Sequence, residues 1–464
     1  MGPATTMRDD PRCTGSRALV VALGLGLASG CGSTTSLDVG APPAIGTSTT
    51  GVSTTGTPTS SADGTTTSGS DGPSDLPEAM PDLPPPGACP AACEVELPLV
   101  WSWEDEPTDG AQARRLSAMA WAPDDTLLVA DLRNGEPWLT RLTPDGGLIW
   151  SRPVYFGCDC EIIDLGFSTI GQLLLLGEGR SDWGAPWFEL AGYFLLRDDI
   201  DPVWSQGNPL YSSSPERPAR VGSLMTLTNE SIAVLAVETG LDGDVLEKDW
   251  FEVRYYSGGA PQDLWQLDTQ LATAPPRRPR GVLLPLDELA IAVQGSASSG
   301  DYVVWARSQF DVATVSGSLP GPVDAMAAGP EASVVTVGID RSRADAPVLQ
   351  PASLPHEQPP AWVETLDVPA PGLGAPALVV DAAGNAYVAL RTVPEGSGDA
   401  AVLIVRLAPD GTPRWTTTLP LPASDAPVSV ALSLARDDDR DLVLAAIVDE
   451  RLHLERREQG CRCD

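Results

Sequence analysis

The sequence predicts an all-β fold built from repeated four-stranded sheets, and three observations carry that prediction. Short apolar strands recur from residue 97 onward, no helical periodicity interrupts them, and glycine and proline stand at 45 each, as suits many short strands joined by turns. The most regular element is an apolar run after a turn: TLLVADL from 126, QLLLLGE from 172, SIAVLAV from 231, ELAIAV from 288, SVVTVG from 333, NAYVAL from 385 and DLVLAAIV from 441. Another apolar stretch precedes each, as in LSAMAWAPDD from 116, VGSLMTLTNE from 221, PALVVDAAG from 376 and VSVALSLARDD from 428. A third strand follows, usually with an arginine: WLTRLTPDG from 138, YFLLRDD from 193, FEVRYYSGG from 251, YVVWARS from 302, VLIVRLAPDG from 402 and LHLERREQG from 452. PVLQPASL from 347 is a weaker copy that keeps the spacing.

Tryptophan marks the fourth strand, at Trp150, Trp204, Trp265, Trp362 and Trp415; the copy near residue 313, ATVSGSL, has lost it. Two copies match closely across the turn, RLTPDGGLIW at 141–150 and RLAPDGTPRW at 406–415. Proline presets the backbone of such a turn and glycine accepts positive φ. Seven sets of first to third strands meet only six internal fourth strands. LPLVWSWED at 97–105, with Trp101 and Trp103, supplies the missing one and is expected to pair with LHLERRE at the C-terminus. A ring closed in that way has no open edge. The pattern resembles a seven-bladed β-propeller closed by an N-terminal strand. The Pro-Asp-Gly…Trp strand pair is most like the repeats of PQQ-type propellers and of bacterial propeller lipoproteins. The WD-like architecture comes without a recurring WD dipeptide, kelch or calcium-repeat signature. An all-β chain of two sandwiches is the alternative architecture.

Upstream, residues 1–30 read as a signal peptide. Arg8, Arg12 and Arg17 precede the apolar stretch ALVVALGLGLA at 18–28, and Ala28-Ser29-Gly30 leads into Cys31. At this length the stretch is too short to span a bilayer but matches the core of a secretory signal. Small residues directly before a cysteine resemble the lipobox of bacterial lipoproteins, although Ala28 stands where leucine is usual and Leu27 lies one place earlier. The resemblance implies acylation of Cys31, a membrane partner through the lipid, and a cell-envelope location. Gly32 after the cysteine favours the outer membrane. Residues 31–88 form a Ser/Thr/Gly/Pro-rich tether that cannot bury enough apolar surface to offset its ordering entropy. Residues 89–464 form the propeller domain.

Composition narrows the partners. With 63 acidic residues against 29 basic ones and a net charge of −34, the chain is repelled by nucleic acid and by anionic headgroups. Two histidines, His356 and His453, leave little material for imidazole catalysis or histidine metal sites. The sequence shows no Gly-x-Ser-x-Gly elbow and no phosphate-binding glycine loop. The stretch Asp242-Gly243-Asp244 with Glu247 and Asp249 lacks the full calcium-loop signature. No cofactor, no metal and no catalytic residue is expected.

Six further cysteines remain besides Cys13 and Cys31. Ring closure brings Cys89 and Cys93 to the edge that holds Cys461 and Cys463, so two bridges of unknown partner order are expected to staple the termini. A loop of that length implies roughly 5 kcal/mol of unfolded-chain entropy. Cys158 and Cys160 are expected in a loop on the opposite face, bonded to each other or free. For binding, the segments 178–192 and 238–250 are expected as long loops, with Trp183, Trp187 and Trp250 as candidate anchors. The leading expectation is a monomeric, non-catalytic, membrane-anchored module that recognises a protein or glycan. An envelope assembly scaffold and a propeller enzyme (lyase or glycosidase) are the alternatives, the last by fold analogy only.

Overall fold

The computed structural model describes residues 94–105, 114–156, 159–180, 185–210, 219–242, 246–257, 260–269, 277–294, 301–307, 314–319, 321–340, 348–368, 375–392, 401–421, 430–434, 441–448 and 450–462. The signal and tether segments, Cys31, Cys89, Cys93, Cys158, Cys463 and Trp183 lie outside these residues, as do the side chains of Trp250 and Cys461.

Seven antiparallel sheets follow one another along the chain. Blade 1 comprises Arg114–Trp121, Leu127–Arg133, Glu136–Leu142 and Leu148–Pro153; blade 2 comprises Asp159–Phe167, Leu173–Arg180, Pro186–Leu195 and Ile200–Pro209. Blade 3 runs through Arg220–Thr226, Ile232–Asp242, Leu246–Ser257 and Ala260–Thr269. Blade 4 runs through Arg280–Leu284, Glu288–Val293, Tyr302–Arg307 and Thr314–Ser318, so its outer strand forms without the tryptophan. In blade 5 the strands Ala325–Ala328, Val334–Asp340 and Val348–Leu354 are edged by two short pieces, Trp362–Val363 and Leu366–Asp367. Blade 6 is Ala377–Val380, Ala386–Thr392, Ala401–Leu407 and Pro413–Pro420. Blade 7 takes Val430–Leu434, Leu442–Val448 and Arg451–Arg457 from the C-terminal end and Leu99–Glu104 as its outer strand. Each first strand touches the first strand of the next blade, and that of blade 7 touches that of blade 1. The seven blades therefore form a closed β-propeller, with the first strands around the centre.

The second strands show why the sequence reads as unbroken apolar runs. Alternate side chains of a strand point to opposite faces, and here both faces meet a neighbouring blade. Leu128 and Ala130 pack with Leu173 and Leu175 of blade 2. Leu127 and Val129 pack the other way, with Val443 and Ala445 of blade 7. The same division recurs where Leu174 and Leu176 meet Val234 and Ala236, and where Tyr387 and Ala389 meet Leu442 and Leu444. A sheet buried on both faces has no polar alternation to show.

Closure follows the expected register, with Leu99 opposite Arg457, Trp103 opposite Leu454 and Glu104 opposite His453. A further short pair, Glu94–Glu96 with Gly460–Arg462, sets Val95 opposite Cys461. Asp105 ties the seam. Its carboxylate pairs with Arg114 of blade 1, while Oδ1 accepts the Leu452 amide of blade 7 at 2.9 Å.

The matched Pro-Asp-Gly turns have a partner that the sequence does not reveal. The Trp101 indole of blade 7 lies on the turn of blade 1 and donates to the Pro144 carbonyl at 2.9 Å; Trp362 of blade 5 does the same to Pro409 of blade 6 at 2.7 Å. Gly411 sits at φ +85°, and a β-carbon there would stand 2.7 Å from the Trp362 ring. Gly411→Ala is therefore expected to cost roughly 1–3 kcal/mol in denaturant titrations, from backbone strain and displacement of the indole together. The third-strand arginines also find partners: Arg141 pairs with Asp124, and Arg456 Nε donates to Asp441 at 2.6 Å. Asp124 accepts the Thr126 amide in its first-to-second turn and also holds an arginine of its own blade, as Asp441 does at the start of its second strand.

Candidate functional site

The blade-to-blade connections and the second-to-third loops share one end of the ring. At that end a cavity of about 890 Å³ opens, lined by residues from five consecutive blades and by Ala375, which precedes the first strand of blade 6. Blade 1 contributes Arg115, blade 2 contributes Glu161, Glu178 and Arg180, and blade 3 contributes Arg220. The connector into blade 4 brings Arg277, Arg278 and Arg280, and the connector into blade 5 brings Asp324. Among the described residues, six arginines against three carboxylates thus line the mouth of a protein whose net charge is −34.

These side chains form a chain of ion pairs across the mouth. Arg115 and Arg278 share Glu161, while Arg278 Nη1 lies 3.3 Å and Arg220 Nη1 2.9 Å from Glu178. Glu178 is further engaged by the Val221 amide, which donates at 2.8 Å to Oε2, the oxygen that faces Arg278. Arg277 Nη2 donates to both oxygens of Asp301 at 2.7 Å, and Asp301 in turn accepts the Val323 amide at 2.8 Å. The Arg277 Nη1 atom is buried without a hydrogen-bond partner, 4.0 Å from the nearest oxygen of Asp324. Arg180 is exposed and makes no ion pair among the described residues.

The arginines are costly where they stand. Burial, and then the guanidinium of Arg278, holds Arg115 below the ordinary arginine value. Burial does the same to Arg278, with Arg220 adding to it, and to Arg280, with Arg278 adding to it. Asp164 lies between the innermost strands of blades 2 and 3, half-buried by area yet enclosed by protein. Burial pushes its carboxyl up to about 6, against the Leu224 and Leu165 amides and the charge of Arg280. A carboxyl with a raised folded pKa favours the folded state most below its unfolded value, and that contribution is lost as pH rises through the folded value. The wild-type protein is expected to lose about 2 kcal/mol at this residue between pH 4 and pH 6, allowing for solvent screening. Asp164→Asn is expected to remove that slope, measured as the difference between the two proteins' stability curves against pH.

The expected loop segments need correction. Residues 178–180 and 186–192 belong to strands, as do 238–242 and 246–250. Both segments are ends of long hairpins whose Gly, Trp and acidic content reads as loop. Trp187 stands on the third strand of blade 2, half-buried, with its ring lying against Gly207 of the outer strand. Trp250 stands opposite Glu238 in the hairpin of blade 3. No aromatic residue is among the described residues that line the cavity. Cys160 is at the start of the first strand of blade 2 instead of in a loop. It is 2% exposed, disulfide-bonded, and part of the cavity wall.

Sequence reasoning passed over the arginine mouth. Its one local signal is Arg277-Arg278-Pro279-Arg280, where three arginines fall within four residues, a density found nowhere else in the chain. On the opposite face Glu288, His356 and Glu357 place one ligand-type atom each within 4.8 Å of one another. The pairing of His356 Nε2 with Glu288 at 2.5 Å, edge-on to Trp305, accounts for that grouping without an ion. Among the described residues no helix is long and apolar enough to cross a membrane.

No family model and no curated protein matches the sequence. Among solved structures, the chain is similar to a catalytically inactive virginiamycin B lyase from Staphylococcus aureus with quinupristin, at 11% identity over 78% of this chain and 99% of that one, with a TM-score of 0.44. Drosophila semaphorin 1b, extracellular domains 1–2, is similar at 10% identity over 78% and 87% of the two chains, with a TM-score of 0.41. The WD40 domain of SCAP from fission yeast is similar at 10% identity over 79% and 98%, with a TM-score of 0.39. At such identities and scores these likenesses say nothing of function.

Proposed function

We propose that the protein is a non-catalytic binding module, lipid-anchored in the cell envelope, whose ligand sits over the mouth of the central channel. The observation that carries this reading is the concentration of cationic side chains from separate blades around one cavity, in a chain that is otherwise acidic. A cavity of this size falls within the range of small-molecule and cofactor sites. Its arginines are held by ion pairs to Glu178 and Asp301, carboxylates that backbone amides of the next blade also fix, so they are ordered before any ligand arrives. The mouth takes the place of the tryptophan loops as the contact area, because Trp187 packs on its own blade.

Two features of this reading concern the chain outside the described residues. Acylation of Cys31 would hold the propeller at the membrane on the tether of residues 31–88, and Cys31→Ala is expected to move the protein from the membrane to the soluble fraction. The described closing pair ends with Glu94 opposite Arg462, next in sequence to Cys93 and Cys463. Non-reducing peptide mapping is expected to find links between residues 89/93 and 461/463, and their absence would remove the staple. For the module itself, the full chain in mild detergent is used as bait in an envelope extract, beside Arg180→Glu. A saturable ligand captured by the wild type and lost with Arg180→Glu supports the reading; equal capture by both moves the contact away from the mouth.

A further inference from the structure

We infer that the channel mouth is a site for a small, multiply charged organic oxyanion, a di- or tricarboxylate or an organic phosphate. The inference rests on the reading of the mouth as the binding surface and names its ligand class. Guanidinium groups present a rigid fork of donors that matches the paired oxygens of carboxylate and phosphate, and six of them line this cavity. Among the described residues, the six arginines outnumber Glu161, Glu178 and Asp324 of the lining even with Asp301 and Asp164 beside them. Glu178 divides itself between Arg220, Arg278 and the Val221 amide, and Asp301 between Arg277 and the Val323 amide. Arg277 Nη1, on the cavity wall, is left buried without a hydrogen-bond partner, a donor that a bound oxyanion could satisfy. Burial first, and neighbouring guanidinium groups after it, hold Arg115, Arg278 and Arg280 below the ordinary arginine value, and a bound anion would offset the repulsion among them.

The size and charge of the ligand follow from the rest of the molecule. A neutral sugar would be expected to stack on aromatic rings, and none is found among the described lining residues. An acidic protein or polymer would meet the field of a chain with net charge −34 before reaching the mouth. A small anion passes that field more readily, and the cleft focuses its own positive potential on it. The apolar part of the described wall, Leu132, Pro186, Ala219 and Val323, carries no aromatic ring, so directional recognition falls to charge and hydrogen bonds.

The test is calorimetric titration of the full chain in mild detergent with citrate, with inorganic phosphate and with an Asp/Glu-rich peptide, each against chloride at matched ionic strength. Citrate is expected to bind saturably, and Arg278→Gln is expected to weaken it at least tenfold. Because Arg278 also holds Glu161 and Glu178, the exposed Arg180→Gln serves as the second variant, with a loss of about threefold expected and an unchanged circular-dichroism spectrum. Absence of saturable citrate and phosphate binding to the folded wild type would overturn the inference. So would an affinity unmoved in both variants, or binding of the acidic peptide alone. If Arg180→Glu loses a captured ligand that citrate neither competes with nor replaces, the oxyanion inference falls while the binding-module reading stands. If citrate binds as expected and capture from extracts does not respond to Arg180→Glu, the inference stands and the reading of the captured partner falls.

Discussion

Asp105→Ala is expected to lower the stability of the propeller by roughly 3 kcal/mol, more than other single changes on the closing strand. The carboxylate stands at the seam where the N-terminal strand completes blade 7. It pairs with Arg114, lies 3.6 Å from Arg133, and accepts the Leu452 amide. Arg114 and Arg133 share Asp131, which is fully buried, as their other acid. Removing Asp105 leaves two buried guanidinium groups on one carboxylate and one backbone amide without its acceptor. Breaking one member of a buried charge cluster costs several kcal/mol because the rest stays uncompensated. Asp105→Asn keeps an acceptor for Leu452 and is expected to lose about half as much. Urea titration read by tryptophan fluorescence checks both: equal losses would place the whole effect in the charge, and an unchanged Asp105→Asn would place it in packing and the Leu452 hydrogen bond.

Gly222→Ala is expected to cost roughly 2–4 kcal/mol and to weaken citrate binding although residue 222 does not line the mouth. Gly222 lies on the first strand of blade 3 beside a register shift between Val221 and Leu224. A β-carbon there would overlap the Pro279 carbonyl oxygen and stand 2.8 Å from its carbonyl carbon. Both obstacles are backbone, so no side-chain rotation relieves them. Pro279 separates Arg278 from Arg280, and its displacement would carry both arginines with it. Ser223→Ala is the neighbouring control. It removes only the hydrogen bond from the Gly281 amide to the Ser223 hydroxyl, 2.9 Å long, and is expected to cost about 1 kcal/mol with a small effect on citrate. Stability lost without any change in citrate affinity would separate the connector from the binding mouth.

The arginines of the third strands show where reading along the chain stops short. Their recurrence is visible from 138 onward, and so is the recurrence of aspartate in the preceding turns. That Arg141 reaches Asp124 and Arg456 reaches Asp441 follows only from the antiparallel register that folds each blade. The hairpins around 180 and 242 were obscured for a related reason. Glycine, tryptophan and acidic residues weaken the local strand signal, and pairing along the hairpin overrides it.

The sequence by itself determined the architecture: seven apolar second strands, tryptophan-marked outer strands, Pro-Asp-Gly turns and the displaced closing strand at 97–105. Those features are local in period or in turn chemistry, so each can be read within ten residues. The tertiary structure alone decided the site. Arg115, Glu161, Glu178, Arg220 and Arg278 come from four blades, and the pairing of Arg278 with Glu161 spans 117 positions. Each of them, taken alone, reads as an ordinary charged strand end. Only closure of the ring sets them around one cavity, where, among the described residues, arginines outnumber the carboxylates that meet them.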